Sequence, residues 1–154
     1  MNKLIETALP LAEMNDAAIR ERAGKAGHPA NLHMWWGRSP ETSSLATLAA
    51  AVLDYSEETA TADQELLAKA ATDSTNALNA VRDRLSELGE LPVVWDAFAG
   101  FGGIPIAAQK LGMRAEANDL NPVAAVLTRA AVDIPARFAS WKPVHPGAAE
   151  RLSY

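Results

Sequence analysis

The chain has 154 residues, 49% of them hydrophobic, no cysteine and a formal net charge of −5, which suits one globular domain and excludes both a disulfide framework and a thiolate zinc site. No apolar run approaches the roughly 20 residues of a membrane span, and the N-terminal segment lacks the basic-then-apolar layout of a signal peptide, so a cytoplasmic protein without membrane contact is expected. The acidic balance argues against a free-standing nucleic-acid binder held by phosphate contacts.

In chain order, the first element expected is a short helix opening at Asn15 and Asp16 and running through "AAIRERAGK", with Ala17, Ala18 and Ile19 beside a charged face. "HPANLHMWWGRSP" reads as a loop, with its two prolines and a glycine. Ser39 is the expected N-cap of the next helix, "ETSSLATLAAAVLDY", and Pro40 its first residue, where the missing N–H costs nothing. Residues 59–88 form a long periodic segment in which Leu67, Ala70, Ser74, Leu78, Val81, Leu85 and Leu88 recur at steps of three and four, a core or partner stripe rather than a cofactor feature. Unbroken it would be a rod of about 45 Å, so a break is expected near "TDST" at 72–75. Residues 51–90 hold nine acids against three bases, a surface that faces away from any bound DNA or is simply a solvated helix face.

After Pro92 the period changes. "VVWDAF" reads as a buried strand ending at Asp96, "IPIAAQKLG" as a helix and "MRAEAN" as a second strand. "NPVAAVLTRAAV" reads as a second helix capped by Asn121 with Pro122 at its first position, and there is room for a third strand near "AAVDIP". Strand, glycine loop, helix, strand, helix is the first half of an open, doubly wound α/β sheet. The chain thus divides into a helical leader, residues 1–90, and the opening half of a Rossmann-like domain, residues 91–154.

Gly100, Gly102 and Gly103 lie where the first strand turns into a helix, so a ligand can approach the backbone without meeting a Cβ. The helix N-terminus beyond them suits a carboxylate or phosphate. Pro105 stands where a dinucleotide fingerprint wants glycine or alanine, which points away from NAD. Asp119, at the expected end of the second strand, is placed to accept from both ribose hydroxyls, and Asp96 to meet an ammonium group. A carboxylate site, an ammonium site and a ribose site together describe S-adenosylmethionine. The competing reading is a plain strand-to-helix turn with Asp119 capping the next helix.

"DAFAGFGGIPIAAQKLG" resembles the first motif, D-P-F-A-G-x-G, of amino-methylating DNA methyltransferases, and "EANDLNPVA" resembles the acidic turn that follows it. "LIETALPLAEMNDAAIRERAGKAGHPANLHMWWGRSP" is similar to the uncharacterised leader of a bacterial family of adenine-specific DNA methyltransferases that contain a zinc ribbon. The resemblance covers about residues 3–45 and 91–140. It implies a class I methyltransferase sheet and a donor site formed by Asp96, Phe98, Ala99, Gly100, Gly102, Gly103, Asp119 and Leu120.

The departures matter as much. Ala97 replaces the motif's proline, Ser39 replaces a second arginine after Arg38, and the zinc ribbon's cysteines are missing. None of the nine prolines is followed by another, so the catalytic N/D-P-P-Y/F/W, which holds the target amine and stacks on the flipped base, is absent. The resemblance implies a seven-stranded sheet of about 200 residues. A second polypeptide that completes the sheet and brings the tetrapeptide is therefore expected, with DNA reached through the complex, unless the long helical segment masks the open edge. No catalytic residue is assigned to this chain.

In "LHMWWGR", Trp35 and Trp36 either stack a base or cover the donor's adenine, with Arg38 on a phosphate, or they anchor the leader to the sheet. The anchoring role is the expectation, and His33 is expected to be a hydrogen-bonded structural residue. The three histidines show no helical metal-ligand spacing, so no tight metal site is expected. The functional expectation is a donor-binding subunit or fragment of an adenine DNA methyltransferase. The alternatives are a non-catalytic module that binds a full-length methyltransferase or a defence protein, and a truncated gene.

Overall fold

A computed structural model describes residues 2–22, 31–72 and 75–141. The chain is mixed α/β and mostly helical. Its elements in order are α1 (Leu4–Thr7), α2 (Leu11–Arg22), α3 (Glu41–Val52), α4 (Ala60–Ala70), α5 (Thr75–Ser86), β1 (Val94–Asp96), α6 (Gly103–Lys110), β2 (Ala115–Ala117), α7 (Pro122–Thr128), a π-helical turn (Arg129–Asp133) and α8 (Ile134–Phe138).

α3 is the centre of the helical part. Its small residues Ala46, Ala49 and Ala50 are fully buried beside Leu45, which lets neighbouring helices approach closely. α2, α4 and α6 all pack against it. Leu4, Leu45, Leu53, Leu67, Val81, Leu85, Ala107, Ala108 and Leu111 share one core cluster, so the apolar interior runs without interruption from the N-terminal helices to α6.

Several boundaries differ from the sequence reading. α1 was not foreseen, because four residues carry no periodicity; Leu4 is nonetheless fully buried and Lys3 pairs with Asp54 at 2.7 Å. α2 begins at Leu11 rather than at Asn15, and the expected run beyond Arg22 lies outside the described residues. Ser39 does not cap α3, and Pro40 is the residue before the helix rather than its first. The cap comes from α2: the N–H groups of Glu41 and Thr42 donate to the two carboxylate oxygens of Glu21 at 2.9 and 3.0 Å. A carboxylate there meets the positive end of the helix dipole, and no local rule could have named a partner some twenty residues away. The long segment 59–88 is interrupted after α4, at the expected place. Ser74 of its stripe lies outside the described residues, as do His28, His145 and the tail from residue 142.

Buried Asp63 on α4 accepts from Arg84 Nε at 3.1 Å. This hydrogen bond, aided by a second from Arg84 to Glu87, holds the Arg84 guanidinium above its ordinary range. Stability from a cation with raised pKa is present below its unfolded value and lost only as pH climbs through the folded one. Both lie far into the alkaline range, so the contribution of Arg84 to holding α4 and α5 together does not change with pH around neutrality.

β1 and β2 are parallel, with Val94 opposite Ala115, Trp95 opposite Glu116 and Asp96 opposite Ala117. They are joined through α6, a β-α-β unit. β1 is not the buried strand expected: Val94 and Ala115 pack on the helical core, whereas Trp95, pointing to the other face, is 72% exposed. An apolar run cannot reveal whether both faces are covered. The third strand expected near "AAVDIP" is also absent, since residues 129–133 form the π-helical turn and carry α7 on into α8. Asn121 does cap α7, its Oδ1 accepting from Val123 N–H at 2.9 Å, and Pro122 follows at the first position. Asn121→Ala should cost about 1 kcal/mol in a urea unfolding titration.

Among the described residues no helix is long and apolar enough to cross a membrane.

Candidate functional site

The site is built where the two parallel strands end. Hydrogen bonds extend the pairing past β1 and β2: Asn118 N–H donates to Asp96 O at 2.8 Å and Ala99 N–H to Asn118 O at 3.0 Å. The turn after β1 and the turn after β2 are thereby tied side by side, which places Asp119 beside the glycine loop.

Asp119 is the hinge of this arrangement. One carboxylate oxygen accepts from Gly100 N–H at 2.8 Å and the other from Asn121 N–H at 2.8 Å. An ionised carboxylate has about four acceptor positions, so each oxygen retains capacity for a further donor. The cap of α7 is Asn121, not Asp119, so the competing sequence reading of Asp119 as a simple helix cap does not describe the geometry. Asp96 Oδ1 accepts from Phe98 N–H at 3.1 Å, and Asp96 lines a recess at the end of β1.

The glycines are used differently from one another. Gly100 and Gly102 have φ of +54° and +97°, a region L-residues avoid, whereas Gly103 is an ordinary first residue of α6. At Gly100 and Gly102 the room left by the missing side chains is taken by the protein itself. A Cβ on Gly100 would lie 2.7 Å from Trp35 Nε1, and one on Gly102 would lie 3.2 Å from a Val132 methyl and 3.4 Å from Thr128. Thr128 Oγ1 also donates to Gly100 O at 3.0 Å. The π-helical turn thus brings α7 and Val132 under the loop, a support that sequence reasoning missed because nothing local links positions 28 residues apart. Pro105 lies in the first turn of α6, where its missing N–H is not needed.

Two recesses flank the loop. The smaller, of about 70 Å³, is lined by Trp35, Arg38, Asp96, Phe98, Gly100 and Gly103 among others. The larger, of about 210 Å³, lies on the β2 side between Ala99, Asp119, Ala125 and Thr128. Phe98 is 88% exposed and Leu120 98% exposed, so each strand-to-helix turn projects a large apolar side chain into solvent beside the acid. The eight residues assigned from the sequence fall together: Phe98, Ala99, Gly100, Gly102, Asp119 and Leu120 in the two adjoining turns, Asp96 at the end of β1 and Gly103 at the start of α6.

The leader tryptophans separate. Trp35 is half-buried on the glycine loop, whereas Trp36 is 85% exposed, so the anchoring expected of both describes only Trp35. Their rings meet edge to face with centroids 6.1 Å apart. Trp36, Met34, Arg22 and Arg38 border a broader recess of about 580 Å³ on the leader side. His33 is exposed, its Nδ1 2.7 Å from Met34 O. α3 and α6 are tied by an ion pair between buried Glu41 and Lys110. Among the described residues no cluster of histidine, aspartate and glutamate has the makings of a metal site.

Residues 8–78 match the model of a family described as a protein of unknown function, DUF1156. The match spans α2 to the start of α5 and ends before β1, so it bears on the leader and not on the glycine loop. No curated protein and no solved structure matches the chain.

Proposed function

We propose that the chain is the S-adenosylmethionine-binding part of an amino-directed, adenine-type DNA methyltransferase, and that its β-α-β unit is the opening of a Rossmann-like sheet completed by a second polypeptide. The observation that carries this reading is the hydrogen bond from Gly100 N–H to Asp119 across two adjacent parallel strands. It sets a glycine turn and a carboxylate side by side, as the ligand's aminoacyl and ribose ends require. The residues present suit the donor chemically. Asp119 keeps acceptor capacity for two ribose hydroxyls, Phe98 and Leu120 offer apolar walls to a purine, and Asp96 is an acceptor for an ammonium group. When bound, the donor supplies an electrophilic methyl group; this chain binds and orients it, and the target amine is held by the tetrapeptide of the completing polypeptide.

Calorimetry of the full chain against S-adenosylmethionine and S-adenosylhomocysteine tests the proposal. Binding of both, lost on replacing Asp119, is the expected result. Absence of binding, with or without the completing polypeptide, would end it.

A second reading, a non-catalytic module that binds a full-length methyltransferase or a defence protein, draws support from a different surface. Trp95 lies open on the outer face of the sheet, and Phe138 at the end of α8 meets Trp141 edge to face, with Phe138 40% and Trp141 66% exposed. Under that reading the chain pulls down a full-length methyltransferase, leaves its activity unchanged, and Asp119→Ala has no effect on the association.

A further inference from the structure

We infer that Arg38, from the leader, is a ligand-binding residue of the glycine-loop site, the cation for the carboxylate of an α-amino acid group whose ammonium is taken by Asp96. This rests on the donor-site reading above and names the residue that reading lacks. The small recess beside the loop is walled on one side by Trp35, Arg38 and Ser39 of the leader and on the other by Asp96, Phe98 and Gly100. At about 70 Å³ it has room for several water-sized groups, the size of an aminocarboxylate head and too small for a nucleoside. The nucleoside's place is the larger recess, which shares Ala99 with the small one.

Charge singles out Arg38. It is half-buried, and its guanidinium makes no hydrogen bond or ion pair among the described residues. Other basic side chains near the loop are engaged: Lys110 with Glu41, and Arg129 and Arg137 with Asp133. Asp96 uses one oxygen for Phe98 N–H, and its second has no partner among the described residues. One unengaged cation and one half-engaged anion thus border a recess whose other polar side chains, Trp35 and Ser39, are neutral, a pattern that matches a zwitterion better than a phosphate. A guanidinium also offers the two-pronged donor geometry that a carboxylate accepts.

The test is calorimetry on the full chain with S-adenosylhomocysteine and with 5′-methylthioadenosine, which keeps the nucleoside and thioether but lacks the aminocarboxylate. Arg38→Gln should weaken S-adenosylhomocysteine by about 10- to 100-fold, the range of one charged hydrogen bond, and leave methylthioadenosine within about twofold. Arg38→Lys should recover part of the loss, and Asp96→Asn should show the same selectivity. Unchanged melting temperatures and wild-type methylthioadenosine binding in the variants guard against a folding defect. Equal loss of both ligands, or no loss of either, overturns the role of Arg38 while leaving the donor site standing. If the wild type binds neither nucleoside, the donor reading falls. L-methionine at millimolar concentration, followed by NMR, then decides the zwitterion pocket separately: Arg38-dependent shifts support it, and their absence ends it.

Discussion

Asp119→Ala should cost about 2 kcal/mol of stability and, on the proposed donor-site reading, abolish binding of S-adenosylmethionine. The carboxylate joins two turns, accepting from Gly100 N–H and Asn121 N–H at 2.8 Å each. Its removal leaves two backbone donors without their partner. Because the side chain is only half-buried, water compensates part of the loss, which keeps the figure below the sum of two charged hydrogen bonds. Asp119→Asn separates the structural role from the binding role. An amide can accept from one of the two donors but must turn its own N–H groups toward the other, so about half the stability loss is expected, about 1 kcal/mol. Ligand binding should fall more than in proportion, since a ribose diol needs acceptors and the amide supplies only one. Urea unfolding and calorimetry on the same samples give both quantities. Wild-type affinity in Asp119→Ala would show the acid to be a brace alone and would favour the interaction-module reading.

Leu45→Ala should destabilise the chain by about 3 kcal/mol, the usual cost of emptying a fully enclosed leucine site. Leu45 is 1% exposed at the middle of α3, within the cluster that also holds Ala107, Ala108 and Leu111 from α6 and its end. The alanines around it cannot fill the void, because they have no rotamers with which to reach inward. Against a total of about 5–15 kcal/mol for a typical domain, this is a large fraction. The location makes the variant informative about the site as well. α6 carries the glycine loop at its start and packs on α3 along its length, so leader and loop should unfold in one transition in the wild type, with the variant moving that single transition. Two separate transitions, only one of them shifted, would mean that the leader and the β-α-β unit fold independently despite their common core.

Local chemistry explains what was legible beforehand. A capping asparagine with proline behind it announces α7 at Asn121 and Pro122. The switch from a step of three and four to a short β-rich run announces β1 after Pro92, and glycines at a strand end announce the sharp turn that Gly100 and Gly102 make with positive φ. Each of these signals lies within a few residues of its consequence. The misreadings have the opposite character. α3 is capped by Glu21 from another helix. β1 has one open face because nothing in the described chain covers Trp95. "AAVDIP" continues a helix through a π turn because Val132 seats against the loop near Gly102.

The amino-acid order by itself determined the parallel β-α-β unit, its glycine turn and the acid that faces it, since strand, turn and helix preferences act over neighbouring residues and the crossover then brings the two strand ends together. Tertiary structure alone decided what fills the space those glycines leave, which tryptophan packs and which stays in solvent, and that Arg38 borders the same recess as Asp96. Those outcomes depend on how α2, α3 and α6 close around one core, and close packing of side chains distant in sequence has no signature in any short stretch of chain.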